Sequence, residues 1–222
     1  MLKKVAIKIM ARLTKSRVSR WASNPIETQK KQLNYLIKNA LNTSFGQAHS
    51  FSKIKNYDDF KNHIPVRDYE SLREYFEQIK EGKKNVLWPG KPLYLAVTSG
   101  TTSGSKYIPI TKQSLPNHLN GAKIALLMYV AETGKVDFIN GKFIFIQGSP
   151  VLSKISGILT GRLSGISAHH IPFYMKKNML PSWSTNIIEE WENKIESIVK
   201  ETMVANMTII SGIPSWLSLI HI

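Results

Sequence analysis

Through residue 80 the apolar positions recur at helical spacing, and after residue 90 they gather into short runs that suit strands. Val5, Ile9 and Leu13, with Val18 and Trp21 less regularly, predict a first helix with one apolar and one basic stripe. Pro25 opens a second helix, in which Leu33, Leu36, Ile37, Ala40 and Leu41 keep the spacing until Asn42 and Gly46 end it. Phe51, Ile54, Tyr57, Phe60 and Ile64 predict short helical turns on the same core. Ser71 is the expected cap of a helix to about Lys80, with Leu72, Tyr75, Phe76 and Ile79 on one face and Gly82 as its stop.

Beyond this point the period changes. Leu93 to Val97 and Tyr107 to Thr111 read as strands. A helix from near Pro116 to Glu132 follows, marked by Ser114 before it and Gly134 after it. Gly141 to Gln147 reads as a buried strand with a Gly148-Ser149-Pro150 turn. One long helix is predicted from a cap at Ser184 or Thr185, with Glu189, Glu190 and Glu192 in its first half. Its stripe is Ile187, Ile188, Trp191, Ile195, Ile198, Val199 and Met203. Thr208 to Ile210 is a further strand, and Gly212-Ile213-Pro214 turns into another helix. Strand, turn and helix units after a β-rich middle predict an α/β layered domain.

Size and charge narrow the function. The chain has 222 residues, 42% of them apolar, enough to bury a core in one domain or a large part of one. Its apolar runs are too short and too often broken to span a bilayer. It holds no cysteine, which excludes disulfides, thiolate metal sites and a cysteine nucleophile, and suits a cytoplasmic location. The net charge is +15, and residues 1–22 carry Lys3, Lys4, Lys8, Arg12, Lys15, Arg17 and Arg20 with no acid. Scattered aromatics and the lack of any recognition-module pattern argue against nucleic acid. Docking of the first helix on its own domain is the first expectation for residues 1–22, and weak contact with an anionic membrane is the second.

The candidate chemistry lies in Thr98-Ser99-Gly100-Thr101-Thr102-Ser103-Gly104-Ser105-Lys106. Two glycines let backbone approach a ligand, consecutive hydroxyls supply donors, and a lysine closes the run. A flexible turn is the plainer alternative, but a donor-rich loop ending in lysine between two strands points to phosphate. The common nucleoside triphosphatase loop needs four residues between its glycines and a helix after its lysine. This sequence has three residues there and a strand afterwards. It fits instead [ST]-[ST]-G-[ST]-T-[GS]-G-x-K, and so resembles the phosphate loop of adenylate-forming enzymes.

The flanking residues sharpen the likeness: Asn42-Thr43-Ser44-Phe45-Gly46, Tyr57-Asp58-Asp59-Phe60, Ile64-Pro65-Val66-Arg67-Asp68-Tyr69-Glu70, Gly82, and Leu87-Trp88-Pro89-Gly90-Lys91-Pro92. With these, the chain resembles the Gretchen Hagen family of auxin-responsive acyl-acid amido synthetases, from about Pro25 onward. The residue pattern sets off a basic amphipathic helix at 1–24, and the resemblance implies, at 25–222, the N-terminal part of the large layered α/β domain of an adenylate-forming enzyme. It implies ATP as substrate with Mg²⁺, a carboxylic acid activated as acyl-adenylate, and an amino acid as acceptor. In that setting Thr98, Ser99, Gly100, Thr101, Thr102, Ser103, Gly104 and Lys106 bind the nucleotide. Other readings are a ligase with another acceptor, such as a thiol, and a non-enzymatic binding or membrane-associated module.

No catalytic residue and no metal ligand is assigned from the sequence. His169-His170 makes a poor metal pair, because adjacent residues rarely chelate one ion. Lys123 and Arg162 are candidates to steer a carboxylate, with a surface role the plainer expectation. Gly212-Ile213-Pro214-Ser215-Trp216 matches a family segment, with Trp216 expected in a core or lining a pocket. Two further nucleotide motifs of the family, Tyr-x-Ser-Ser-Glu and Tyr-Arg-x-Gly-Asp, have no match in the 222 residues. The expectation is therefore an N-terminal fragment or truncated product, inactive alone.

Overall fold

The computed structural model describes residues 2–98, 104–212 and 214–219, apart from the side chains at 216 and 219. In chain order the first elements are α1 (Leu2–Ala22), α2 (Pro25–Ala40), α3 (Ser44–Ala48), α4 (Tyr57–His63) and α5 (Arg73–Lys80). Strands β1 (Tyr94–Thr98) and β2 (Lys106–Ile110) lead to α6 (Leu115–Thr133), β3 (Lys142–Phe145), β4 (Ser153–Ile155) and β5 (Ile158–Gly161). Short helices α7 (Leu163–Ala168) and α8 (Phe173–Lys176), strand β6 (Met179–Leu180) and α9 (Trp183–Asn186) follow. The last elements are α10 (Trp191–Thr202), β7 (Met207–Ser211) and α11 (Pro214–Leu219). The architecture is mixed α/β, as the change of period predicts.

Two compact units are present: Met1–Thr14 with Asn117–Leu152 and Gly161–Ile222, and Lys15–Pro116 with Ser153–Thr160. In the second unit, Ile37 and Ala40 of α2 bury against Phe51 and Ile54, with Phe45, Phe60, Ile64 and Trp88 around them. Of the residues expected there, Phe51, Ile54, Phe60 and Ile64 do share one core, and Tyr57 is exposed instead. The chain passes from α2 to α3 through a tight joint at Thr43, which is fully buried. The Thr43 hydroxyl donates to the Ala40 carbonyl at 2.7 Å and accepts from the Gly46 N–H at 3.0 Å, capping α3. A Cβ at Gly46 would stand 2.1 Å from the Ala40 oxygen, so only glycine lets the two helices meet this closely.

Beside that core lies a four-stranded sheet of order β2-β1-β5-β4. Leu95 of β1 and Ile158 of β5 bury against Ile79 of α5 and Val86. The β4–β5 hairpin was not predicted. Its connection is Ser156-Gly157, both at positive φ (47° and 78°), which is the backbone a two-residue hairpin turn requires. Ser71 is not the cap of α5. Asp68 serves that turn instead, its carboxylate accepting from the Ser71 N–H (2.8 Å) and hydroxyl (2.6 Å), with a 3₁₀ turn at Glu70–Leu72 before α5.

In the first unit, β3 is the centre of a parallel three-stranded sheet of order β6-β3-β7. Ile144 and Ile146 bury against Ile198 of α10, whose stripe also brings Ile195 and Val199 to the sheet. Ala11 of α1 packs with Leu127 and Val130 of α6 and with Val136.

The long helix expected from Ser184 or Thr185 is instead two. Ser182 caps α9, accepting from the Thr185 N–H. Glu190 then leaves the helical region (φ −70°, ψ 122°) and caps α10, its carboxylate accepting from the Glu192 and Asn193 N–H groups. Glu189 and Glu190 thus lie at a break, Glu190 as a cap, and not in the first half of one helix, and Ile187 is left exposed between the two helices.

Candidate nucleotide-phosphate loop

Strands β1 and β2 pair antiparallel with Thr98 opposite Lys106, so these two residues are the feet of a hairpin. Alternation puts Leu95, Val97, Tyr107 and Pro109 on one face, and Ala96, Thr98, Lys106 and Ile108 on the other. Leu95 and Tyr107 belong to the core against α5, which fixes the base of the hairpin. Of the predicted binding residues, Ser99, Gly100, Thr101, Thr102 and Ser103 lie outside the described residues. Gly104 sits at φ 77° with open space around the position a Cβ would take, so the backbone there is open to a ligand.

Lys106 is half-buried, and its ammonium stands 5.3 Å from the centre of the Tyr69 ring. Tyr69 is itself held. Its ring stacks on Phe76 of α5 (4.6 Å, 11°), and its hydroxyl accepts from the Tyr107 N–H at 3.1 Å. β2 is an edge strand, so this bond occupies a donor that no neighbouring strand takes. Asp68 stands next to Tyr69. Hydrogen bonds from the Ser71 hydroxyl and N–H hold its carboxyl below the ordinary carboxylate range, and the charge of Lys106 adds a smaller pull in the same direction. Lys80 lies over the Tyr107 ring at 4.7 Å while pairing with Glu77 at 2.7 Å.

The sequence motif contains Asp68 and Tyr69, but nothing in their spacing reveals that they stand beside Lys106, 38 and 37 residues away. The signal was their place in the stretch Ile64 to Glu70. A cation fixed on an aromatic face at the foot of a donor-rich hairpin is suited to neutralise phosphate charge.

The other candidates are placed elsewhere. Lys123 is an exposed residue of α6, and Arg162 precedes α7 with an exposed side chain. His169 bonds through Nε2 to the Pro150 carbonyl (2.8 Å) and meets the Trp183 ring edge to face (5.1 Å). Trp216 falls in α11, its side chain outside the described residues. Among the described residues no cluster of three or more His, Cys, Asp or Glu side chains could hold a metal ion. At the carboxyl ends of β3 and β7, the Ile146 N–H donates to the Ser211 carbonyl (3.0 Å) and the Gly148 N–H to the Ser164 hydroxyl (3.2 Å). Ends of parallel strands are where α/β sheets receive ligands.

Comparison with known proteins agrees with this fold. Residues 14–189 match the model of the GH3 family N-terminal domain. The Arabidopsis thaliana indole-3-acetic acid-amido synthetase GH3.5 is 28% identical over 145 residues, which are 63% of this chain and 23% of that protein. Indole-3-acetic acid-amido synthetase GH3.15 of the same plant is 34% identical over 74 residues, 32% of this chain and 12% of that protein. The chain thus spans under a quarter of the length of these curated relatives. The solved structure of GH3.15 acyl acid amido synthetase superposes with a TM-score of 0.75 at 16% identity, covering 93% of this chain and 37% of that one. The structure of AtGH3.15 in complex with 2,4-DB gives 0.69 at 18% identity, covering 85% and 32%. On the family model, which takes in most of its residues, the chain belongs to the GH3 family.

Proposed function

We propose that this chain is the N-terminal part of an ATP-dependent acyl acid amido synthetase, in which the hairpin from Thr98 to Lys106 holds the nucleotide phosphates. The observation that carries this is Lys106 fixed against Tyr69 at the foot of a glycine- and hydroxyl-rich hairpin. Relatives with amido-synthetase names support the reaction class. In the proposed reaction a substrate carboxylate attacks the α-phosphate of ATP, pyrophosphate leaves, and an amino acid amine displaces AMP from the acyl-adenylate. Gly104 contributes close backbone approach, and Lys106 meets charge that moves onto pyrophosphate as the adenylate forms. Mg²⁺ draws its ligands from phosphate oxygens and one or two carboxylates in sites of this kind. Among the described residues no cluster of three or more His, Cys, Asp or Glu side chains is present to hold it, and no ligand is assigned to it. The 222 residues lack the two further nucleotide motifs and are proposed to be inactive alone.

Acid-dependent exchange of pyrophosphate into ATP tests this in a protein carrying those motifs downstream. Lys106→Ala is expected to slow adenylation about ten- to a thousandfold, roughly 1.4 to 4 kcal/mol of transition-state stabilisation, with an unchanged melting curve. Amide formation from supplied acyl-adenylate, which involves no triphosphate, is expected to be spared. An equal fall in both half-reactions would remove the phosphate role from Lys106, and exchange by the 222 residues alone would overturn the proposed inactivity.

A further inference from the structure

Helix α1 has two apolar faces, and the structure uses one of them. Ile7, Ala11 and Thr14 share a face at the i, i+4, i+7 spacing; Ala11 and Thr14 are buried and Ile7 packs on the same cluster as Ala11. Leu2, Val5, Ile9 and Leu13 lie on the other side of the helix, about 180° away at 100° per residue. They are 87%, 50%, 53% and 67% exposed. Docking on its own domain therefore does not consume the stripe seen in the sequence. The packed face is made by smaller residues, and the stripe points away.

Cations border that stripe. On the same turn arithmetic Lys8 and Arg12 flank it on one side, and Arg17 and Lys3 on the other. No acid occurs in residues 1–22. Lys4 is set apart, turned to Asp137 at 2.5 Å. No helix of the described residues is long and apolar enough to cross a membrane. An exposed apolar stripe with basic borders, on a helix anchored by its back, has the chemistry of an interfacial helix.

We propose that α1 docks the protein on an anionic lipid surface, the Leu2-Val5-Ile9-Leu13 stripe entering the headgroup boundary and Lys8, Arg12 and Arg17 meeting lipid phosphate and carboxylate groups. Charge decides for lipid over a second copy of the chain, because self-pairing along the stripe would bring the same cations face to face. The proposal does not depend on the proposed nucleotide chemistry.

The 222 residues hold no cysteine, so Leu13→Cys, with any cysteine beyond residue 222 replaced by serine, can carry an environment-sensitive fluorophore, with Lys123→Cys, an exposed position of α6, as control. Both are measured in the polypeptide as its source cell makes it, so that any segment beyond residue 222 is present to compete for the stripe. Vesicles are phosphatidylcholine with or without an equal share of phosphatidylglycerol. Expected is a blue shift at position 13 and none at 123, with anionic vesicles only. Flotation of the unlabelled protein is expected to fall about tenfold or more with Ile9→Ser plus Leu13→Ser, and also with Lys8→Gln plus Arg12→Gln or in high salt. Both pairs are exposed and should leave the melting curve unchanged. Shifts at both positions would mean undirected adsorption and overturn the proposal. It also fails if neither position shifts, if position 13 is already blue without vesicles, or if its shift follows protein concentration alone, the last two outcomes marking a covering segment or a second copy.

Discussion

Gly46→Ala separates the packing of this fold from helix propensity, because the two predict opposite signs. Gly46 lies within α3, and by propensity alone alanine there is worth about 1 kcal/mol of added stability. The structure says otherwise. The new Cβ would stand 2.1 Å from the Ala40 carbonyl oxygen, and about 3.0 Å from the Ala40 carbon and the Leu41 oxygen. All three are backbone atoms, so relief requires α2 and α3 to separate. Overpacking of this kind costs roughly 1–3 kcal/mol. Moving α3 also stretches the bond from the Gly46 N–H to the Thr43 hydroxyl, now 3.0 Å, and loss of such a cap costs about 0.5–2 kcal/mol. Set against the gain, the net is a loss of about 0.5–4 kcal/mol. For a chain of this size that lowers the melting temperature by roughly 2–4 °C per kcal/mol. Urea unfolding of wild type and Gly46→Ala followed by circular dichroism measures it, with Gly121→Ala in α6 as control, since nothing lies within 4 Å of a Cβ there. A Gly46→Ala protein as stable as wild type or more so would refute the close approach of the two helices.

Tyr69→Phe keeps the ring over Lys106 and its stack on Phe76 but removes the acceptor of the Tyr107 N–H. A stability loss of about 1 kcal/mol is expected, with adenylation by the longer protein reduced far less than by Lys106→Ala; a loss as large as the lysine's would give the hydroxyl a direct role. Glu201 tests acid stability. Its burial alone would raise its pKa, but hydrogen bonds from the Ser182 hydroxyl, the Thr185 hydroxyl and the Ser182 N–H outweigh that and leave it below the ordinary 4.5. A depressed carboxylate adds stability that is present above 4.5 and lost as pH falls through the folded value. Melting of Glu201→Gln should therefore start lower at neutral pH and fall less on acidification, and parallel curves would show that the carboxylate contributes nothing.

The elements legible in sequence are those whose signals are local. Pro25 at the start of α2, Ser114 with Thr111 before α6, and the paired runs of β1 and β2 each announce themselves within a few residues. The β4–β5 hairpin was missed because strands of three and four residues give too few alternations to count. Its usable signal was Ser156-Gly157 between two isoleucines. The break at Glu190 was hidden by its own chemistry: an acid in a helical first turn and an acid capping that turn look alike in a string, and glutamate is not among the usual caps. In α1 the periodicity is real, but period alone cannot say which side of a helix is packed. The residues that bury are small, Ala11 and Thr14, and carry little hydrophobic signal.

The same limit governs the site. Composition singles out residues 98–106 as the candidate phosphate loop, since glycines, hydroxyls and a lysine are chemical facts about them. What holds the lysine depends on tertiary packing. The capping of the Glu70 turn by Asp68 directs the chain into α5. Phe76 of that helix then supports the Tyr69 ring, and the Tyr69 hydroxyl ties the foot of the loop to the same helix through the Tyr107 N–H. The placement of Lys106 is thus set by a helix 30 residues earlier in the chain. Mutations in α5 that loosen Phe76 should disturb the loop as surely as changes within it, because a cation is useful to phosphate only where its position is fixed before the charge arrives.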